Sequence, residues 1–370
     1  MKILIFNWRD IKNPSSGGAE ILTHEMAKRW VRLGHSVTQF SSKFPNCLSE
    51  EFVDNVLYIR KGYPDARHIF RSVHFQGFLY YMINFREKFD VVVDEIHGLP
   101  FFTPWYVREK KVALICEVAD ELWGKLYGSF FGAIGRIIEV FYLRIVYRNI
   151  QYLTISESSK KDLIRNGVPG KMIKVLPMGV TVPSEIIMRA KERNPTLLYV
   201  GRLSKSKGIE DAIFATEILV KELKRIKLFI VGRGDRDYTI YLKNLVRSLG
   251  LNQNIHFFGF VNEKIKFELM ARCHVLLVPS SKEGFGLIVP EAGFVGTPAI
   301  AYKSKGLSEV VKNKKNGIIL EKNNPLELGK NIKMLLLDKN LYSNLQKGAY
   351  EESKKYNWDN TARAALEILK

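Results

Sequence analysis

Two glutamates eight residues apart, Glu283 and Glu291, frame the segment Glu283-Gly284-Phe285-Gly286-Leu287-Ile288-Val289-Pro290-Glu291. Pro290 suits the first turn of a helix, where its missing N–H is no loss. The N–H groups of Gly286, Leu287 and Ile288 are then free to receive an anion such as a phosphate. Carboxylates on either side of an anion site are not needed for packing, and they accept hydrogen bonds from sugar hydroxyls. Their structural alternative is a pair of capping glutamates.

Three other loops carry candidate chemistry. In Ser15-Ser16-Gly17-Gly18-Ala19-Glu20, the paired Gly17 and Gly18 allow a phosphate to approach backbone N–H groups at the positive end of a helix. A tight turn would use the same residues. Gly201-Arg202-Leu203-Ser204-Lys205-Ser206-Lys207-Gly208 places Arg202 and Lys207 where a diphosphate leaving group could be held, or where a basic loop is simply solvated. Gly232-Arg233-Gly234 contains one GxG and lacks the rest of a dinucleotide fingerprint. Asp235-Arg236-Asp237 reads as DxD, but it opens a helix, so capping and helix-dipole compensation account for it.

The elements that must position these loops alternate. Short apolar runs are separated by helical patterns, which predicts parallel sheets with crossover helices. In the first half, strands are expected at 3–6, 37–40, 56–59, 91–93, 112–115, 152–155 and 173–176, with a helix at 18–33. The rhythm restarts after a proline-bounded, polar stretch at 183–195, read as a hinge. Strands follow at 197–200, 228–231, 255–258, 275–278, 299–302 and 318–320. Helices are expected at 209–223, 238–249, across 325–355 and at 358–369. In such sheets ligands bind beyond the carboxyl ends of the strands, where all four loops fall.

Composition narrows the class. The 370 residues have room for two domains, and 46% hydrophobic with 26% charged residues is a globular profile. The net charge of +19 predicts anionic partners. Cys47, Cys116 and Cys273 have no metal or disulfide spacing and point to a reducing compartment. No signal peptide and no membrane-length apolar run is read, so a cytoplasmic protein is expected.

The combination of EGFGLIVPEA, GGAE and GRLSKSKG, with GHSV at 34–37, FFGFV at 257–261 and an Asn-Trp-initiated last helix, resembles the retaining glycosyltransferases of family 4. The resemblance covers nearly the whole chain. It implies an α/β GT-B fold: two Rossmann-like doubly wound domains facing each other across a cleft, at 1–182 and 196–355. Residues 356–370 would form a helix crossing back to the first. It implies a nucleotide-diphosphate sugar, UDP- or GDP-linked, as donor, and no obligatory metal or other cofactor. Arg202 and Lys207 would hold the diphosphate, Glu283 the donor sugar and Glu291 the ribose. Gly17 and Gly18 would approach the phosphates, and Phe260 would border the base.

One feature departs from the family pattern. Where many members carry a histidine after the fifth strand, Cys116 stands here. His97, ending the neighbouring strand, is the candidate replacement; the alternative is a loop histidine that contacts acceptor or backbone. Asp94, Glu95 and Glu117 lie nearby with roles the sequence does not separate.

Residues 127–148 carry Phe130, Ile134, Ile137, Ile138, Phe141 and Ile145 at helical spacing, interrupted by Arg136, Arg144 and Arg148. Upstream, Arg60, Lys61, Arg67, Arg71 and Arg86 alternate with Phe70, Phe75, Phe78, Tyr80 and Tyr81. These patterns predict peripheral contact with an anionic membrane surface at its inner face, and hence a lipid-linked or membrane-associated glycan acceptor. The other explanation is a core of aromatics under a solvated basic face. Three rival functions are a GT-B sugar-nucleotide epimerase, a basic nucleic-acid binder and a dinucleotide-dependent dehydrogenase. The paired glutamates disfavour the first two, so no nucleic-acid partner is expected, and the missing fingerprint disfavours the third.

Overall fold

The computed structural model describes residues 1–64, 69–119, 121–183, 190–281 and 283–370, apart from the side chains of 121, 122, 125–127 and 129. Two units emerge: Met1–Gly179 with Asn357–Lys370, and Val180–Tyr356.

The first unit is built on strands β1 (Lys2–Phe6), β2 (Ser36–Ser41), β3 (Glu50–Val53), β4 (Val56–Arg60), β5 (Val91–Glu95), β6 (Lys110–Leu114), β7 (Gln151–Thr154) and β8 (Ile173–Val175). They order as β3-β4-β2-β1-β5-β6-β7-β8. All pairings are parallel except β3 with β4. The parallel strands are apolar on both faces because helices cover both. These helices include α1 (Gly18–Arg32), α2 (Val73–Tyr80), α3 (Glu121–Phe141) and α4 (Glu157–Arg165).

β3 is absent from the sequence-based expectation. Its residues, Glu-Glu-Phe-Val, carry no apolar alternation, and it is held only as an antiparallel edge. Asp54 and Asn55, with φ of 51° and 62°, make the two-residue turn into β4, a conformation Asn and Asp tolerate.

The second unit contains β9 (Thr196–Val200), β10 (Lys227–Val231), β11 (Ile255–Gly259), β12 (Val275–Val278), β13 (Ala299–Ala301) and β14 (Gly317–Ile319). Their order is β11-β10-β9-β12-β13-β14, all parallel. The connecting helices are α5 (Ile209–Val220), α6 (Arg236–Ser248), α7 (Glu263–Arg272), α8 (Ile288–Phe294) and α9 (Lys305–Val310), and α10 (Pro325–Leu337) and α11 (Lys339–Ser353) follow the last strand. Strand alternation divides the core. Leu197, Leu228 and Ile230 pack on the face with Ile213 of α5 and Leu242 of α6. Leu198, Phe229 and Leu276 pack on the other face with Phe267 of α7 and Val289 of α8.

Helix α12 (Trp358–Leu369) belongs to the first unit. Trp30 Nε1 of α1 donates to the Ala362 carbonyl at 2.9 Å, and Thr361 Oγ1 donates to the Pro177 carbonyl at 2.6 Å. Residues 184–189 of the expected hinge at 183–195 lie outside the described residues. Its described C-terminal part packs on the second unit. Lys191 Nζ donates to the Cys273 carbonyl at 2.7 Å and to Thr297 Oγ1 at 2.6 Å, and the Glu192 N–H donates to the Arg272 carbonyl at 2.9 Å.

Candidate functional site

In the second unit, the β9–α5 loop and the β12–α8 loop both leave the carboxyl end of the sheet from adjacent strands. Lys207, closing a 3-10 turn, places Nζ 2.6 Å from Glu283 Oε2. Lys207 and Glu283 are separated by 76 positions in sequence. Gly286 sits against the same glutamate: a Cβ there would lie 3.5 Å from Glu283 Cγ. Leu287 and Ile288 follow at the start of α8, whose first N–H groups have no acceptor within the helix. Arg202 is exposed, and its carbonyl accepts from the Tyr199 hydroxyl at 2.9 Å.

Glu291 lies in the first turn of α8. Its partner is Lys266 of α7, at 2.9 Å, a residue sequence reasoning did not select. Lys266 also reaches Glu263 at 2.8 Å. Burial pushes the Glu291 carboxyl above its ordinary range, against the pull of Lys266. On Lys266 burial acts downward, and the charges of Glu291 and Glu263 outweigh it, so the ammonium is held. Local periodicity holds no signal for this pair, because α7 and α8 meet only in the tertiary fold. Phe260 projects from the loop after β11, two-thirds exposed, with the Arg233 guanidinium 4.4 Å over its ring.

The GxG segment has a packing explanation. Gly232 has φ +138°, and a Cβ there would lie 1.8 Å from the Gly201 carbonyl oxygen, so only glycine permits this approach of the two loops. The DxD segment caps α6: Asp235 Oδ1 accepts from the N–H groups of Asp237 at 2.9 Å and Tyr238 at 3.1 Å.

In the first unit, Gly17 is the N-cap of α1, and its N–H donates to Glu20 Oε2 at 2.7 Å. A Cβ on Gly18 would meet nothing within 4 Å, so packing does not require glycine there. A second group gathers at the ends of β1 and β5. Glu95 is buried and accepts from Asn7 Nδ2 at 2.6 Å and Thr23 Oγ1 at 2.5 Å; His97 Nε2 lies 3.0 Å from its other oxygen. Trp8 stacks on His97 with centroids 5.8 Å apart, and the Arg9 guanidinium lies 3.9 Å from the Trp8 ring centre. Asn7, Trp8 and Thr23 went unread in the sequence, although Asn7 follows the end of β1, where the strand-end rule points.

Asp94 and Glu95 now separate. Asp94 is fully buried and accepts from the N–H groups of Phe101 and Thr103, from Thr103 Oγ1 at 2.8 Å and from the Tyr147 hydroxyl. It is spent on holding the loop after β5. Cys116 is half-buried, and burial, followed by the charges of Glu95, Glu20 and Glu117, pushes its thiol well above the usual range. It is a neutral neighbour of the Glu95 group.

Burial lowers the His97 imidazole, but the hydrogen bond and charge of Glu95 outweigh it, leaving the net value raised above 6.5. The stability contributed by the charged form is therefore present below the unfolded value of about 6.5 and is lost as pH rises through the raised folded value. Glu95→Gln should shift the His97 titration downward, as followed by NMR of the imidazole carbon-bound protons. An unchanged midpoint would show that Glu95 does not hold it.

The upstream basic-aromatic stretch requires correction. Arg60 and Tyr81 are both completely buried, not surface groups. Arg60 Nε donates to Asp10 Oδ2 at 2.7 Å, and its Nη1 donates to Glu51 Oε2 at 2.8 Å. Tyr81 donates to Glu109. Arg67 lies outside the described residues. The 127–148 segment is broken rather than continuous: Gly128, with φ 79° and ψ 175°, reverses the chain inside α3, and a Cβ on Gly132 would touch the Gly124 backbone at 2.5 Å. Beyond the reversal, Phe130, Phe131, Ile134, Ile137, Ile138, Phe141 and Ile145 are all exposed.

Comparison with known proteins agrees with this architecture. Residues 16–182 match the family described as Glycosyltransferase Family 4, and residues 185–352 match Glycosyl transferases group 1. An uncharacterized glycosyltransferase of Methanocaldococcus jannaschii is 31% identical over 244 residues, 60% of each chain. Sucrose-phosphate synthase from Thermosynechococcus elongatus superposes with a TM-score of 0.80 at 19% identity, covering 99% of this chain and 98% of that one. Anabaena HepE, solved in complex with UDP-glucose, gives a TM-score of 0.76 at 18% identity over 100% and 99% of the two chains. The chain belongs to the group 1 glycosyltransferases of family 4 and has the GT-B class of fold. The chain spans 60%, 54% and 52% of the lengths of three curated relatives it matches.

Proposed function

We propose that the chain transfers a sugar, with retention of configuration, from a UDP- or GDP-sugar to a hydroxyl of a lipid-linked or membrane-associated glycan. The observation that carries this reading is the pair of glutamates, each held by a lysine from a different loop or helix: Glu283 by Lys207 and Glu291 by Lys266. In this reading Arg202, Lys207 and the N–H groups of residues 286–288 stabilise the negative charge that develops on the departing diphosphate. Glu283 orients the donor sugar, Glu291 the ribose, and Phe260 with Arg233 borders the base. Gly17 and Gly18 approach the phosphates, and His97, hydrogen-bonded to Glu95, serves the donor sugar or the acceptor. No metal or other cofactor is required. The complex of Anabaena HepE with UDP-glucose supports a uridine donor.

The acceptor side follows from surface chemistry. Exposed Phe130 and Ile137 of α3, and Ile145 in the turn that follows it, lie with Arg136, Arg144 and Arg148 in residues 127–148, a composition suited to an anionic bilayer surface. Among the described residues no helix is long and apolar enough to cross a membrane, so contact would be peripheral. Cys47, Cys116 and Cys273 are free thiols, in keeping with the cytoplasmic side. Vesicles containing anionic lipid should bind the protein at low salt, and Ile137→Asp should weaken that binding about tenfold or more. Equal binding of the variant would remove α3 from the contact.

The donor reading is tested by thermal stability with UDP, GDP, ADP and their common sugars, with and without Mg2+. A ligand at about a hundredfold excess over Kd should raise the melting temperature by roughly 5–10 °C. One base should succeed without metal, and Glu291→Ala should abolish the shift. No shift with any of them would overturn the reading.

A further inference from the structure

The first unit holds a cavity of about 430 Å³ lined by Phe75, Phe78, Leu99, Phe101, Trp105 and Tyr106. Of its polar members, the Tyr106 hydroxyl is buried without a hydrogen-bond partner among the described residues, while Ser72 and His74 are occupied. Ser72 donates its hydroxyl to the Ile69 carbonyl at 2.6 Å and accepts from the Phe75 N–H at 3.2 Å. His74 Nε2 lies 3.2 Å from the Leu99 carbonyl oxygen, and burial lowers its imidazole to about 4, so it carries no charge near neutrality. Neither side chain is poised to bind a sugar. The volume is that of a site for a small organic molecule.

Two features identify the occupant. First, the wall of the cavity is the loop that carries His97: His97 and Leu99 form a bridge, and Phe102, stacked on Trp105 at 4.9 Å, also meets Tyr142 at 6.4 Å just beyond α3. The cavity therefore adjoins both the Glu95 group and the helix whose apolar residues are exposed. Second, its mouth is apolar and its neighbours in sequence are cationic. Ile69, Phe78 and Trp105 are exposed, Arg71 is exposed in the same 3-10 turn as Ile69, and exposed Arg108, two residues after Tyr106, makes a solvent-exposed ion pair with Glu87 at 2.9 Å that an anionic head would compete with. An apolar slot beside exposed arginines suits a hydrocarbon chain with an anionic head.

We propose that this cavity receives the hydrocarbon chain of an anionic amphiphile, and so seats the lipid part of the acceptor beside His97. Calling the amphiphile the acceptor rests on the function proposed above; occupation of the cavity does not, and it is measured without any transfer reaction.

The probe is a series of n-alkyl phosphates from six to twelve carbons, below their micellar concentrations, titrated calorimetrically into the full chain. Affinity should rise about fourfold for each added methylene until the cavity is full. Trp105→Ala and Phe78→Ser, both at exposed positions, should each weaken the longer members at least tenfold, while Ile137→Asp on α3 should leave them unchanged. Uncharged alkyl glucosides of equal length should bind more weakly than the phosphates. Affinity independent of chain length, or loss in Ile137→Asp without loss in Trp105→Ala, would overturn the assignment. So would binding of an amphipathic helical peptide, blocked by Trp105→Ala, with the alkyl series inert. Chain binding without sugar transfer to any lipid acceptor would instead overturn the function and leave the cavity assigned.

Discussion

Lys207→Met should lower kcat/KM for sugar transfer by about 10²–10³-fold while leaving the protein folded. Its ammonium is placed by a short turn at the end of β9, 2.6 Å from Glu283. In the proposed reaction it faces charge that grows as the diphosphate leaves, so its removal acts on the transition state more than on donor binding. The effect should fall mainly on kcat. The side chain is about a quarter exposed, and breaking such an ion pair should change stability by less than about 1 kcal/mol. Methionine retains the length of the stem and isolates the charge. Steady-state kinetics with the nucleotide sugar identified by thermal stability, alongside an unfolding curve, check both halves. A kcat/KM within about threefold of wild type would remove Lys207 from the chemistry.

The largest stability effect should come from Asp10→Ala. Arg60 and Asp10 have no exposed side-chain surface at all. Asp10 accepts from Arg60 Nε at 2.7 Å, from Ser41 Oγ at 2.8 Å and from the Lys12 N–H at 2.9 Å. Without Asp10, the hydrogen bonds left to the guanidinium among the described residues are those to Glu51 and the Leu48 carbonyl. Leaving a buried charge undercompensated costs about 3–5 kcal/mol, and the melting temperature should fall by roughly 10 °C or more. Replacing both partners, as Asp10→Leu with Arg60→Met, should recover most of the loss, because no charge then remains to be desolvated. Thermal or urea unfolding of the three proteins decides it, and a single-mutant loss below about 1 kcal/mol would refute the argument. There is a functional consequence too. Asp10 follows the segment that presents Asn7, Trp8 and Arg9 to the Glu95 group, so the buried pair fastens that segment to β2 and β4.

The alternation of short apolar strands with helical patterns is a local property, and the parallel sheets, most helix positions and the strand-end loops were legible from it. Lys207, Glu283 and Glu291 stood out by residue type and spacing, and the combined segments disclosed the family. What only the tertiary structure decided involves partners distant in sequence. Lys266 meets Glu291 across α7 and α8; Glu95 collects Asn7 and Thr23 from other elements. Arg60 looked like one more surface cation, because burial of a charge depends on a counter-charge fifty positions away in Asp10, which no periodicity records. Gly128 carried no sign of a chain reversal, since glycine is compatible with a helix and a turn alike. The aromatic cavity likewise exists only where residues of α2 and of the loop after β5 close on one another. Sequence pattern determines which faces seek burial; long-range packing determines which charges and rings share a place.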